Sequence, residues 1–94
     1  MTCKLLFKES AAREWKKLDG DLRTQFARKL TERLENPRVP RDALHGMKDC
    51  YKIKLRSKGY RLVYRVEDEV ITARVIAVGK RESDEIYNEA DKRR

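Results

Sequence analysis

Apolar residues recur along this chain with two different periods, and the change of period divides it in two. Between Cys3 and Lys8 a short apolar run predicts a strand. From Glu9 to Leu18, the spacing of Ala12, Trp15 and Leu18 matches one face of a helix. Asp19-Gly20-Asp21 then breaks the pattern, and Asp21 is placed to cap a second helix whose Leu22, Phe26, Ala27, Leu30 and Leu34 form one apolar stripe ending before Pro37. Such a stripe packs into a core far more often than it fills a partner's groove, so the two helices predict an antiparallel hairpin with a buried inner face. Pro37, Pro40 and Gly46 interrupt the segment Arg38 to Lys48, which predicts an extended loop.

Beyond the loop the period becomes two. Tyr51, Ile53 and Leu55 point to one face while Lys52, Lys54 and Arg56 point to the other, as an amphipathic strand requires. Ser57-Lys58-Gly59 predicts a hairpin turn into a strand from Tyr60 to Val66, and Glu67-Asp68-Glu69 a second turn. Val70 to Val78 is almost continuously apolar, which suits a central strand covered on both faces; Glu82 to Arg93 reads as a final helix. The expected fold class is therefore α+β: residues 1–94 as one domain, an N-terminal helical hairpin and a C-terminal helix packed on a mostly antiparallel four-stranded sheet.

Composition narrows the partners. Of the 94 residues 43% are charged and 39% hydrophobic, which leaves material for one modest core under a heavily solvated surface. The formal charge of +8 favours a polyanionic partner, nucleic acid first, because each neutralised phosphate releases counterions. No apolar run approaches the roughly 20 residues of a spanning helix, and Met1 to Glu9 lacks a signal-peptide core, so a cytoplasmic protein with no membrane partner is expected. Cys3 and Cys50 read as reduced, with Cys50 facing the core. Together with His45 they supply neither the ligand number nor the spacing of a zinc site, so neither a metal nor another cofactor is expected.

The charge is not spread evenly. Between Arg38 and Arg65 stand nine basic residues (Arg38, Arg41, Lys48, Lys52, Lys54, Arg56, Lys58, Arg61 and Arg65) against Asp42 and Asp49, a net of +7. Lys52, Lys54 and Arg61 can share one face of the paired strands, where clustered cations are costly unless an anion relieves them. A solvated sheet face is the plain alternative; the absence of an obvious carboxylate partner in the local pattern favours a phosphate site.

Chemistry can follow from such a patch if the nucleic acid is RNA, which carries its own nucleophile. In-line attack of a ribose 2′-hydroxyl on the adjacent phosphate needs a proton acceptor, cations for the phosphorane charge, and a donor for the departing oxygen. Crowding a lysine among cations disfavours its ammonium form and makes the neutral amine available as a base, while the planar fork of arginine binds phosphate oxygens two at a time. His45, alone in a loop beside Gly46, cannot be both acid and base, and the acidic turn Glu67-Asp68-Glu69 splays too widely to converge on a metal.

Cys50-Tyr51-Lys52-Ile53-Lys54-Leu55-Arg56, Gly59-Tyr60-Arg61-Leu62-Val63-Tyr64, Val78-Gly79-Lys80-Arg81 and Ile86-Tyr87 together resemble the RelE toxins of bacterial toxin–antitoxin modules. Glu14-Trp15, Asn36-Pro37-Arg38 and Leu44-His45-Gly46-Met47 extend the likeness over nearly the whole chain. The resemblance implies the compact microbial-ribonuclease-like RelE fold and a metal-independent endoribonuclease, an mRNA interferase that cuts messenger RNA in the ribosomal A site and halts translation. It implies a RelB-like antitoxin and the 70S ribosome with its mRNA as partners, and operator DNA only through the antitoxin complex.

Carried over by that likeness, Lys54, supported by Lys52, takes the 2′-hydroxyl proton; Arg61 and Arg81 stabilise the phosphorane, with Arg81 assisting the leaving group; and Tyr87 stacks on or orients a base. Arg38, Arg41, Lys48, Arg56, Lys58, Arg65 and Lys80 are the further RNA-binding candidates. Two features depart from the family pattern: Ser83-Asp84-Glu85 replaces a basic position after Arg81-Glu82, and the chain ends in Lys92-Arg93-Arg94 where relatives often finish apolar. A non-catalytic RNA- or ribosome-binding module and a gyrase-poisoning, ParE-like toxin stand as the competing functions.

Overall fold

The computed structural model describes residues 4–55, 59–67, 72–80 and 85–93. The expected turn residues Ser57 and Lys58, and Asp68 and Glu69 of the acidic turn, lie outside this set, as do Cys3 and the start of the last expected helix at Glu82. The elements run β1 (Lys4–Phe7), α1 (Glu9–Lys17), α2 (Gly20–Glu35), a 3-10 turn (Pro40–Asp42), β2 (Cys50–Leu55), β3 (Tyr60–Glu67), β4 (Thr72–Lys80) and α3 (Glu85–Arg93). The four strands form one sheet in the order β1-β4-β3-β2, with β1 parallel to β4 and the other two pairings antiparallel.

Asp19, not Asp21, caps α2. Its backbone is extended and its Oδ1 accepts from the Leu22 N–H at 3.0 Å, so the helix starts two residues earlier, at Gly20. Arg23 turns back and donates to the carbonyl of Leu18 at 2.6 Å, satisfying an acceptor left open where α1 ends. Leu22, Phe26 and Leu30 are buried as their spacing requires, whereas Ala27 is exposed and Ala11, not Ala12, is the fully buried alanine of α1. Inside the expected loop, Pro40 starts the 3-10 turn and Ala43 bridges Tyr51, covering part of the outer edge of β2.

Two apolar clusters lie on opposite faces of the sheet. The larger joins Leu18, Leu22, Phe26 and Leu30 of the hairpin to Tyr51, Ile53, Leu55, Leu62, Tyr64, Val66, Val75 and Val78. The smaller joins Met47, Cys50, Val63, Ile76 and Ala77 to Ile86 and Ala90 of α3. The near-continuous apolar run of β4 follows from this, since the strand must present side chains to both clusters. A bulge lets it do so: Val63 pairs with Ala77 but Tyr64 with Val75, so Ile76 is an extra residue and both Ile76 and Ala77 face α3.

Candidate functional site

The alternation of β2 sends Cys50, Lys52 and Lys54 to the α3 face while Tyr51, Ile53 and Leu55 enter the hairpin core. Lys54 pairs directly with Arg61 on β3, and Lys52 with Val63. Side chains of directly opposed residues start about 5 Å apart, and a same-face neighbour on the same strand lies about 7 Å away. Lys52, Lys54 and Arg61 therefore converge on one patch, and none of the three makes an ion pair among the described residues. Gly79 on β4 stands opposite Arg61 on its other flank, where Ile86 of α3 lies 3.8 Å from the place a Cβ would take.

Arg61 shows what the patch lacks. One terminal nitrogen of its guanidinium donates to the Tyr60 carbonyl at 3.0 Å, while Nε is withdrawn from solvent with no acceptor among the described residues. A buried N–H left in that condition costs free energy that an incoming anion would recover. Tyr87 approaches from α3: it is half-buried and packs against the cluster that contains Val63, Ile76 and Ala77, on the face from which the three cations project. His45 is exposed, Glu67 is paired with Arg74 at 2.6 Å, and no group of three metal-ligating side chains gathers among the described residues.

The remaining candidates divide. Arg81, Arg56 and Lys58 lie outside the described residues. Arg65 shares the patch face, since it pairs with Cys50 across β2 and β3. Lys80 does not, because its partner Tyr60 packs into the hairpin cluster. Lys48 and Arg41 are exposed on the loop, and Arg38 is held by Asp49 at 2.7 Å. That hydrogen bond, against a smaller opposing effect of desolvation, keeps the Asp49 carboxyl below the usual carboxylate range. Arg38 is thus spent on an internal ion pair, and the segment's net +7, in which Asp49 is already subtracted, rests on its other cations.

Arg33, which the sequence pattern does not single out, supports the site from α2. Its guanidinium, on α2, donates to the Lys52 carbonyl at 3.0 Å and the Tyr64 hydroxyl at 3.1 Å, and pairs with Asp42; Tyr64 in turn donates to the Pro37 carbonyl at 2.6 Å. Burial raises the Tyr64 pKa above its ordinary value, against the lowering effect of Arg33. The edge strand that carries Lys52 and Lys54 is anchored to the hairpin by this arginine. The available signal is a cation three residues past Leu30, flanking the apolar stripe beside Leu34.

A family model described as the ParE toxin of the type II toxin–antitoxin system parDE matches residues 5–85. The mRNA interferase toxin RelE of Escherichia coli strain K12 is 58% identical over 87 residues, which cover 93% of this chain and 92% of that protein. The chain belongs to the RelE branch of the ParE toxin family. A relative named mRNA interferase RelE from Shigella flexneri shows the same identity over the same length. Among solved structures, an arginine double mutant of the E. coli toxin RelE in the free state superposes with a TM-score of 0.92 at 55% identity, covering 99% of this chain and 98% of the other. RelE in the intact E. coli RelBE toxin–antitoxin complex gives a TM-score of 0.83 at 54% identity over 86% of this chain and 99% of that one. The α+β architecture reached from periodicity is the RelE fold.

Proposed function

We propose that this chain is the toxin of a type II toxin–antitoxin module and that it cleaves messenger RNA on the ribosome, in the cytoplasm, until a RelB-like antitoxin neutralises it. The reading is supported by the 58% identity to a RelE mRNA interferase and by the solved RelBE complex of a 54% identical toxin. The observation that carries it is local: Lys54 opposite Arg61, with Lys52 beside them, on a face where the Arg61 Nε has no acceptor among the described residues.

In the proposed reaction Lys54, assisted by Lys52, accepts the 2′-hydroxyl proton as that oxygen attacks the neighbouring phosphorus. The bond to the 5′-oxygen of the next nucleotide breaks, leaving a 2′,3′-cyclic phosphate and a 5′-hydroxyl end. Arg61 and Arg81 balance the charge that builds on the non-bridging oxygens, Arg81 assists protonation of the departing 5′-oxygen, and the Tyr87 ring orients a base. Lys52, Lys54 and Arg61 carry no histidine-like acid–base pair, so alignment of the 2′-hydroxyl by the ribosomal decoding site supplies a large part of the rate. Arg65 on the same face, and exposed Arg41 and Lys48, extend the surface for RNA phosphates.

The test is to map RNA ends on purified translating ribosomes with and without the protein. Cuts inside the A-site codon with cyclic-phosphate and 5′-hydroxyl ends are expected, and Lys54→Ala should remove them; uncut messages would sink the reading. The ParE description of the matching family model is the one finding that favours a gyrase-directed toxin, for which trapped DNA breaks would appear in place of new RNA ends.

A further inference from the structure

Nine residues are too few for a helix to hold itself in water, where about 12–15 are marginal, so the place of α3 must come from the surface beneath it. Ile86, Ala90 and Arg93 fall on one face of α3, and the first two are buried against the sheet. Arg93 ends that stripe where an apolar residue is expected, yet its side chain is only 17% exposed. One of its terminal nitrogens donates to Glu14 Oε1 at 2.8 Å and to the Ile76 carbonyl at 3.1 Å, and the other to Glu14 Oε2 at 3.2 Å and Glu89 Oε1 at 3.1 Å. Glu14 Oε1 also accepts from the Val78 N–H at 3.2 Å.

The location explains the pair. The register of β1 on β4 ends at Phe7 opposite Val75, and Lys8 makes the last bond of that flank, to the Val75 carbonyl at 2.9 Å. Past this point β4 continues through the bulge with an open edge, and an unpaired edge inside a protein must find partners for its N–H and C=O groups. Glu14 takes the N–H of Val78 and Arg93 gives to the carbonyl of Ile76, so two charged side chains stand in for the missing strand. The same pair thereby joins α1, β4 and α3 at one point.

Resting on the site assignment above, we infer that Glu14 and Arg93 are positioning residues for cleavage: their ion pair clamps α3 to the β4 edge and so holds Tyr87 over the face that carries Lys52, Lys54 and Arg61. Among the described residues their side-chain hydrogen-bond partners are each other, Ile76, Val78 and Glu89, so an effect on the reaction passes through α3 and β4. A displacement of Tyr87 by about 1 Å is enough to cost a hundredfold in rate.

The experiment is a rate cycle on purified translating ribosomes under single-turnover conditions, with Arg93→Ala, Tyr87→Ala and the double variant. Arg93→Ala should lower the saturating cleavage rate about tenfold to a hundredfold, with the half-saturating toxin concentration changed less than about twofold. In the Tyr87→Ala background the same substitution should cost under about threefold, because the clamp then has nothing left to aim. Amide exchange should quicken in α3 and at the end of β4 but not in α2. If Arg93→Ala does not fold, Arg93→Lys, which keeps the charge and loses the fork, carries the cycle with a smaller loss. A wild-type rate in the Arg93 variants, or losses that simply multiply in the double variant, overturns the inference. Full activity of Tyr87→Ala alone removes the site assignment and the inference together, which is a distinguishable result.

Discussion

The two faces of the sheet are made from the same strands and do opposite things. Against the helical hairpin every inward position of β2 and β3 is apolar, and Leu62 and Tyr64 are wholly buried beneath Phe26 and its neighbours. Against α3 the cover is a nine-residue helix packed with Met47, Cys50, Val63, Ile76 and Ala77 and reaching Gly79, and the same face presents Lys52, Lys54 and Arg61. A full second helical layer would have buried these cations at a prohibitive desolvation cost; a short one leaves them gathered, with Lys54 exposed and Lys52 and Arg61 half-buried. Stability resides on the first face and the candidate chemistry on the second, with two arginines tying them together: Arg33 from the hairpin to the Lys52 carbonyl, and Arg93 from α3 to Glu14.

Substitutions that strike one face at a time separate these roles. The largest effect on stability should come from Phe26→Ala, which removes a ring packed near Trp15, at 6.4 Å between centroids, in the hairpin core. A loss of about 3–5 kcal/mol in the free energy of urea unfolding is expected; a loss under about 1 kcal/mol, too small for a closed core, would break the contrast. Arg61→Ala should reverse the pattern. Cleavage falls about a hundredfold to a thousandfold, while the thermal midpoint holds or rises slightly because a buried donor without an acceptor is removed. A thermal midpoint that drops sharply would make Arg61 a structural residue.

Arg33→Ala sits between the two. It uncouples the β2 edge and leaves Asp42 and the Tyr64 hydroxyl without their donor, so a loss of about 2 kcal/mol is expected, accompanied by a fall in cleavage rate. Unfolding and single-turnover rates measured on the same preparation decide whether both change; an unaltered cleavage rate would detach Arg33 from the site. The smallest effect is a pH dependence. Arg38 holds the Asp49 carboxyl below its ordinary pKa, so the stabilisation is complete above about pH 4, the range in which an unfolded aspartate is ionised, and is lost as pH falls through the lower folded value. Asp49→Asn should flatten the acid limb of the unfolding midpoint against pH; an unchanged limb would show that the pair contributes nothing.

Much of this was legible along the chain. The alternation Tyr51-Lys52-Ile53-Lys54-Leu55 fixes which side chains leave the core, and the register of β2 on β3 brings Arg61 to Lys54. Arg81 was reached through family likeness alone, since a cation after a strand has no periodic signature. Lys80 reads as an RNA-binding candidate in the sequence, but the bulge at Ile76 inverts the facing of the strand after it: Gly79 comes to the patch beside Arg61, and Lys80 goes to the hairpin face. The cap of α2 was misplaced by two residues because Asp19 and Asp21 offer the same side chain, and only the extended backbone at Asp19 distinguishes them.

By itself the sequence determined the elements, their amphipathic faces and the cluster of like charges, because each of these is a short-range pattern with a period set by backbone geometry. Tertiary structure alone decided where β4 shifts its facing, which carbonyl Arg33 reaches, and that Arg93 closes on Glu14 across 79 residues of chain. Such contacts depend on how separate elements meet, and a hydrogen bond between distant residues leaves no period in either segment from which it could be read.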